Sequence, residues 1–391
     1  ENDVESTDWQ ELEPVAPYYF FVPKDFARQE EYKKFWKVTE IFEEWSSGVK
    51  TRRDKFMVAF SKEGLLQRLN VFVGNLSDEI VSRSLGIKDT KYWSIKKARE
   101  EVRKVDFGSK IEPYAYRPFD NQFVFYFPNI IERGDARVPL MKHFLKENIA
   151  LVSTRILSQP PFKHVFVSDS ISDMCLISIK TKEASYYFPL YLYPDERKGK
   201  LLDEEAPKPE CTQNFTDEFL QAVKEALGTE PTPEEIFYYI YAVLYSPSYR
   251  KRYEEFLKID FPRIPLPEDY EKFKKLSELG KELVELHLLK HPSLGETGVG
   301  FTESGSDRVE KVYYDESSER VWINKEQYFD GISKEVWEYK IGAYQVLAKY
   351  LKDRRKEKRK LSLEEIEHYM KVAKAIERTI EVQGGVEEVV G

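Results

Sequence analysis

Residues 48–56 (GVKTRRDKF) combine four cations with one hydroxyl at a glycine turn, a set suited to binding a polyanion. Lysine and arginine on a loop can reach phosphates, and arginine can also pair with the O6 and N7 atoms of guanine. The candidate DNA-binding residues of this segment are Lys50, Thr51, Arg52 and Arg53. We expect Thr51 to donate to a phosphate, and Asp54 to orient Arg52 or Arg53. The competing interpretation is a solvated turn with an internal ion pair.

Residues 114–120 (YAYRPFD) and 123–127 (FVFYF) are two aromatic segments separated by a proline turn. Their composition predicts a pair of strands. Arg117 and Asp120 can close an ion-paired corner around Pro118, because neighbouring aromatic rings would desolvate the pair and hold it. The alternative interpretation assigns Arg117 to DNA.

Three further segments carry polar residues that could contact bases or phosphates. Residues 131–137 and 153–163 are predicted loops, and residues 249–253 (YRKRY) belong to a predicted helical region. The candidates they contribute are Arg133, Arg137, Arg155, Gln159, Lys163, Arg250 and Lys251. Glutamine can read adenine N6 and N7, and arginine can read guanine. Exposed polar residues without a binding role are the alternative for the two loops.

Residues 159–162 (QPPF) are similar to the Asp/Asn-Pro-Pro-Tyr/Phe tetrad with which amino-methyltransferases grip a flipped base. Glutamine is one methylene longer than asparagine, and no glycine-rich cofactor loop precedes the tetrad. We interpret the similarity as coincidental and expect no cofactor in this chain. A divergent DNA methyltransferase remains an alternative.

Residues 349–360 (KYLKDRRKEKRK) hold eight cations and two anions between two predicted helices. A solvated basic loop on an acidic chain is one interpretation. The other is a patch that binds the phosphate backbone, which would add affinity and salt dependence without specificity.

Other chemistries find little support in the residue patterns. The chain has no G-x-x-x-x-G-K-[ST] phosphate loop, and its two cysteines do not form a disulfide framework. Among the five histidines, His287 and His291 have ligand spacing, but no glutamate follows His287 as it does in zinc proteases. We therefore expect no metal site and no catalytic residue.

Charge and hydropathy limit the partners. The formal net charge is −8, so any DNA surface must be a local patch on an acidic body. No apolar run is long enough to span a bilayer, and we expect a cytoplasmic protein without a membrane partner. The chain starts at Glu1 rather than methionine, and we expect it to be part of a longer polypeptide.

The pattern of elements predicts an α+β fold, with a strand-rich domain, then a helical domain, then a small hairpin plus helices. The predicted divisions are a linker at 1–16, a strand-rich domain at 17–195, a linker at 196–215, a helical domain at 216–297, and the hairpin with C-terminal helices at 298–391. Two short predicted strands, 18–22 and 56–60, lie among helical patterns. The predicted strands 122–127, 149–153, 164–167, 174–179 and 186–193 are expected to form a curved sheet or partial barrel, and a separate hairpin pairs 309–314 with 321–324. Predicted helices are 30–36, 95–104, one starting after Thr216, one starting after Thr232, 270–289, 334–352 and 362–379.

Taken in order along the chain, several segments resemble the C-terminal target-recognition region of single-chain restriction-modification enzymes of the type ISP and type IIG class. They are 48–56, 114–127, 232–250 (TPEEIFYYIYAVLYSPSYR), 260–265 (DFPRIP), 279–287 and 339–351. The resemblance covers about residues 17–385.

This resemblance implies sequence-specific binding of double-stranded DNA, as the specificity part of an enzyme that methylates adenine and cleaves DNA. The family's methyltransferase, helicase and nuclease motifs are not found in the chain, so we expect it not to be an enzyme by itself. S-adenosylmethionine and Mg²⁺ are expected in the rest of the enzyme, and the methyltransferase and nuclease domains of the same polypeptide are the implied partners. A protein-interaction scaffold that leaves DNA alone is the remaining alternative.

Overall fold

The computed structural model describes residues 5–9, 11–12, 27–158, 160–180, 182–194 and 210–390. The predicted strand at 18–22, the candidate Gln159 and most of both predicted linkers lie outside these residues.

Short strands and longer helices are mixed along the described chain, which confirms the predicted α+β class. The strands are β1 (Trp36–Lys37), β2 (Ser46–Ser47), β3 (Val58–Ala59), β4 (Ile111–Arg117), β5 (Asp120–Phe125), β6 (Ala150–Ser153), β7 (Val165–Ser168), β8 (Ile171–Ser172), β9 (Tyr186–Pro189), β10 (Tyr191–Leu192), β11 (Thr212–Gln213), β12 (Arg263–Ile264), β13 (Tyr313–Asp315), β14 (Arg320–Trp322), β15 (Tyr328–Phe329), β16 (Lys340–Ile341) and β17 (Tyr344–Gln345). The α-helices are α1 (Gln29–Lys33), α2 (Val38–Ile41), α3 (Asp54–Met57), α4 (Lys62–Val73), α5 (Asp78–Leu85), α6 (Ile95–Val102), α7 (Val138–Met141), α8 (Asp217–Leu227), α9 (Pro233–Tyr245), α10 (Pro247–Arg252), α11 (Glu254–Leu257), α12 (Tyr270–His287), α13 (Lys334–Glu338), α14 (Val346–Lys356) and α15 (Leu363–Val390).

Two four-stranded sheets, with orders β3-β5-β4-β8 and β2-β9-β6-β7, form the strand-rich part. The predicted aromatic strand pair is confirmed as the antiparallel β4–β5 hairpin, with Tyr114 opposite Gln122 and Arg117 opposite Asp120. Every residue of β6 and β7 is buried, which explains why these strands read as continuous apolar runs rather than alternating ones. The prediction of one curved sheet or partial barrel is wrong, because the strands divide between two sheets that share no strand.

Two predicted strands are corrected by local hydrogen bonding. Residues 174–179 form no strand, since the Leu176 amide donates to the Asp173 carbonyl (3.0 Å) and turns the chain. Residues 56–60 are divided between the end of α3 and the short strand β3.

The helical part is built around α9, which packs against α12 and α15. Its start is a capping box, in which Thr232 Oγ1 accepts from the Glu235 amide (3.2 Å) and Glu235 accepts from the Thr232 amide (2.9 Å). α12 approaches α9 so closely that a Cβ added at Gly280 would lie 1.9 Å from the Tyr238 carbonyl oxygen. These helices begin where the capping residues predict, because the signals that start them are local.

The predicted helix at 334–352 is wrong, since it is broken into α13, a β16–β17 hairpin and α14. Gly342 turns this hairpin with a φ of 57°, and a Cβ there would lie 1.9 Å from the Ile177 carbonyl oxygen. The Gly342 amide donates to the Lys163 carbonyl (2.7 Å), so docking on the strand-rich part outweighs helix propensity. The other predicted hairpin is confirmed as β13–β14, and β15 extends it to three strands.

A buried ion pair fixes α14 to the start of β5. Arg354 donates from Nη2 and Nη1 to the two carboxylate oxygens of Asp120, at 3.0 and 3.1 Å, and both side chains are almost completely buried. Nε of Arg354 pairs with Glu365 (3.2 Å) near the start of α15. The C-terminal helices and the β4–β5 hairpin are therefore locked together.

Candidate nucleic-acid interface

The loop after Gly48 is held against the chain that follows β8. The Val49 amide donates to the Ser172 carbonyl (2.8 Å), and the Met174 amide donates to the Val49 carbonyl (2.8 Å). A Cβ at Gly48 would lie 2.7 Å from the backbone of Asp173 and Met174 and from the Tyr187 ring, so glycine is needed for this approach. The close packing fixes where the following cations can point.

A cleft of about 250 Å³ opens where this loop meets the end of β4. Its lining brings together Val49, Lys50, Thr51, Arg52, Asp54, Arg117, Asp173, Met174 and Cys175. Two segments that the sequence singles out separately, 48–56 and 114–120, thus contribute to one site.

Asp173 is the buried anion at the base of the cleft. Its carboxylate accepts from Tyr114 (2.7 Å), from Arg117 Nη1 (3.0 Å) and from the Cys175 amide (2.7 Å). The predicted Arg117–Asp120 ion pair is therefore wrong, since Arg117 pairs with Asp173 and Asp120 pairs with Arg354. Burial alone would lower the pKa of Arg117, but the Asp173 carboxylate outweighs it and the pKa is raised, so this arginine stays charged.

Aromatic rings sandwich the Arg117 guanidinium. It lies 3.8 Å from the centroid of Tyr116 and 5.7 Å from that of Tyr344. The Tyr344 hydroxyl donates to the Cys175 carbonyl (2.9 Å), which brings the β16–β17 hairpin to the cleft wall. Arg117 is only 7% exposed, so its side chain organises the cleft from below.

The loop at 131–137 supplies the anions that hold the arginines of the first loop. Arg52 Nε donates to Asp135 (2.7 Å), and Arg53 lies 3.7 Å from Glu132 with its guanidinium 3.8 Å above the Trp93 ring. The expectation that Asp54 orients Arg52 or Arg53 is therefore wrong.

Asp54 instead accepts hydrogen bonds from two hydroxyls, those of Thr51 and Tyr116. Thr51 is buried, and its hydroxyl proton already has this acceptor. Donation from Thr51 to a phosphate, as expected from the sequence, would require that bond to break.

Three candidate arginines of these loops have left-handed backbone conformations. The φ angles are 59° for Arg52, 60° for Arg133 and 52° for Arg137. Such conformations cost about 1–2 kcal/mol each for residues with a Cβ and concentrate at functional sites. Arg137 pairs with Asp135 (3.4 Å), while the exposed Arg133 lies 4.1 Å over the Tyr92 ring.

The remaining candidates lie near the β16–β17 hairpin or on α10 and the β6–β7 connection. Arg155 is 59% exposed and pairs with Asp260 (3.2 Å), which also binds Lys37. Lys163 is half-buried, and burial lowers its pKa. These contacts leave Arg155 accessible to a ligand and Lys163 partly so.

Arg250 donates from Nε to the Leu244 carbonyl (2.6 Å) and lies over the Tyr245 ring, whereas Lys251 is exposed. In the 159–162 tetrad Gln159 falls outside the described residues, and Phe162 is buried in the core.

Sequence reasoning missed the partners rather than the cations. Asp173, Glu132 and Asp135 set the position of each cleft arginine, but they lie far from those arginines in sequence. Among the described residues, no group of three or more His, Cys, Asp or Glu could hold a metal ion. No helix in the described ranges combines the length and apolarity that crossing a bilayer requires.

The described residues form two four-stranded sheets that the Arg354–Asp120 pair joins to the C-terminal helices, with a cleft lined by Arg52 and Arg117. Residues 40–383 match the model of the type ISP C-terminal specificity domain, and the chain belongs to that family. No curated protein matches the chain.

Solved structures with a similar fold include the DrdV–DNA complex (21% identity, TM-score 0.73, 99% of this chain), the type ISP restriction-modification enzyme LlaGI without its nuclease in complex with a DNA substrate mimic (19%, 0.68, 97%), and the ATP-dependent type ISP enzyme LlaBIII bound to DNA (20%, 0.68, 91%). This chain spans 41%, 30% and 24% of those three chains, respectively.

Proposed function

We propose that this chain recognises a specific sequence in double-stranded DNA, as the specificity part of a restriction-modification enzyme that methylates adenine and cleaves DNA. Beyond membership of the family, one structural observation supports this proposal. Residues from parts of the chain that are distant in sequence, namely 49–54, Arg117 and 173–175, line one cleft in which Lys50 and Arg52 are partly exposed. The loop at 131–137 adjoins this cleft through the Arg52–Asp135 pair.

The degree of burial separates the cations that hold the structure from those that are accessible to DNA. Arg117 is held by Asp173 and by aromatic rings, so it shapes the cleft, while Arg53 is held outside the lining by Glu132 and Trp93. Arg52, with 28% of its side chain exposed, keeps one face toward solvent while Asp135 fixes its direction. A guanidinium fixed in this way can present two parallel donors to a guanine edge at little entropic cost.

The partners follow from the length of the related chains. We infer that methyltransferase and nuclease domains belong to the same polypeptide, and that S-adenosylmethionine and Mg²⁺ bind there rather than here. The chain by itself is not proposed to be catalytic. It would present an adenine to the methyltransferase domain, which flips the base out of the duplex.

Selection from randomised duplex DNA tests the proposal. The chain, alone and as part of its full polypeptide, is incubated with random duplexes at two salt concentrations, and the retained DNA is sequenced. We expect an enriched asymmetric site that contains adenine. Arg52→Ala should weaken the preference at one or two positions, whereas Arg83→Ala, an exposed arginine on α5, should not.

Each other result has a defined meaning. Retention without enrichment, by the full polypeptide as well, would contradict sequence recognition. Binding of S-adenosylmethionine by this chain alone would favour the methyltransferase alternative. Absence of any DNA retention by the full polypeptide would favour a protein-interaction scaffold.

A further inference from the structure

We infer that the exposed face of α14, together with the loop that follows it, is a second DNA contact that grips the phosphate backbone without reading bases. DNA as the polyanion rests on the proposed function, while the patch itself rests on the geometry of α14. It is separate from the arginine-lined cleft, whose lining contains no residue of α14.

Two arginines of this basic segment are used for anchoring. Arg354 is buried between Asp120 and Glu365, with its guanidinium 3.3 Å from the Tyr350 ring centroid. Arg359 pairs with Glu365 (3.3 Å) and lies 4.3 Å over the Phe60 ring. Both hold the segment on the body of the protein, and the buried Arg354 is unavailable to an external ligand.

The other cations of the segment face solvent. Lys349 is neutralised by Asp353, one turn further along α14. The exposed cations are Lys352, Arg355, Lys356, Lys358 and Lys360, and none of them makes an ion pair with a described residue. Arg308, also exposed, forms a β-bridge with Lys360 and extends the patch.

The spacing of the patch suits a linear polyanion. Lys352, Arg355 and Lys356 are three and four residues apart, so they lie on one face of α14. Lysines are compact point charges on flexible stems, which suits phosphates more than base edges. Residues 349–360 contain two anions, Asp353 and Glu357, and Asp353 is already paired with Lys349.

Helix stabilisation alone does not account for this charge. Cations in the last turn of α14 interact favourably with the helix dipole, which explains Arg355 and Lys356. The effect falls off within one turn, so it does not explain Lys358, Lys360 and Arg308, which lie beyond α14. Like charges this close repel one another. Contact with DNA relieves this repulsion and releases the counterions condensed on the phosphates, and both effects favour binding.

The patch has a fixed position relative to the cleft. Asp120, which holds α14 through Arg354, begins β5 directly opposite Arg117 at the end of β4. A duplex that contacts the cleft rim and also reaches α14 would therefore meet the patch at a constant distance along its backbone.

The test compares two triple variants that lose the same charge. K352Q/R355Q/K356Q removes the face of α14, and K275Q/K281Q/K371Q removes three exposed lysines from α12 and α15. Dissociation constants for the selected duplex and a scrambled duplex are measured between about 50 and 200 mM salt. The α14 variant should lose affinity for both duplexes by the same factor, and its salt slope should fall by about 2–3.

Several outcomes would overturn the inference. An unchanged salt slope would do so, as would an equal loss in the control variant. A selective loss for the selected duplex would mean that the patch reads bases. Loss of wild-type binding to phosphatidylserine vesicles in the α14 variant, with DNA binding unchanged, would assign the patch to a membrane surface. A wild-type protein that binds every duplex equally, with the predicted slope change, would defeat the proposed function and leave the patch intact.

Discussion

Breaking the Arg354–Asp120 pair from either side should destabilise the fold by unequal amounts. Removing one partner of a buried ion pair leaves an uncompensated charge and costs about 3–5 kcal/mol of the free energy of unfolding. The structure sets where each change falls in that range. In Asp120→Ala, Arg354 keeps its bond to Glu365 (3.2 Å), so we expect a loss near 3 kcal/mol.

Arg354→Ala should be the more damaging substitution. Asp120, whose side chain is 2% exposed in the intact pair, would keep one hydrogen bond, which it accepts from Gln122 Nε2 at 3.5 Å. The stacking of the guanidinium on Tyr350 would also be lost. We expect a loss near 5 kcal/mol.

Urea unfolding followed by circular dichroism measures both losses. The double variant Asp120→Leu/Arg354→Met removes both charges and fills the space, so it should lie within about 1 kcal/mol of the wild type or be more stable. Lys334→Ala, which breaks an exposed pair with Glu316, is the control and should cost less than about 1 kcal/mol. A larger loss for Asp120→Ala than for Arg354→Ala would contradict this ranking, as would a double variant that loses as much stability as the two single variants together.

Three further changes test the packing and the cleft. Gly48→Ala should lower the free energy of unfolding by about 1–3 kcal/mol, because its Cβ would press on the backbone of Asp173; a urea midpoint equal to that of the wild type would contradict this. Burial, followed by the charge of Arg250, lowers the pKa of His287 to about 3 from 6.5, so the unfolded state binds more protons between these values and stability should fall as pH drops below about 6.5. Urea unfolding between pH 7 and pH 4 measures that fall, at about 1.4 kcal/mol per pH unit, and His287→Gln should reduce it. Arg52→Ala should weaken binding to the selected duplex by about 1–3 kcal/mol in a fluorescence titration and relax the preference at its contact, whereas equal weakening on scrambled DNA would show that it contacts only phosphate.

Matched controls exist for these changes. Gly384→Ala lies mid-helix with nothing near the new Cβ, and should stabilise α15 by about 0.5–1 kcal/mol. His164 and His368 also have pKa values lowered by burial, so His287→Gln should remove only part of the pH dependence.

The sequence predicted elements whose signals are local. The capping residue Thr232 and the proline after it locate the start of α9, and the aromatic run through β4 and β5 predicts that hairpin. The sequence also predicted candidate DNA-binding residues in 48–56 and 114–120, and residues of both segments line one cleft.

Long-range partners could not be predicted in the same way. Local reasoning paired Arg117 with Asp120, three residues away, because no pattern points to Asp173, 56 residues away. The apolar run at 174–179 reads as a strand, but its hydrogen bonds are used in turns around Asp173. The β16–β17 hairpin replaces a helix because the Ile177 and Lys163 carbonyls receive its amides, a contact that one segment of sequence cannot reveal.

The buried ion pair between Asp120 and Arg354 constrains how new specificities could arise by recombination. A chimaera that exchanges only the first half of the chain would join an Asp120 from one parent to an α14 from another, and would also separate the Lys163 carbonyl from its own Gly342 turn. Such hybrids would leave Asp120 or Arg354 buried without an ion-pair partner, unless both parents have the same two residues. Productive exchange between relatives should therefore transfer the strand-rich half together with α14, or else only the loops that rim the cleft.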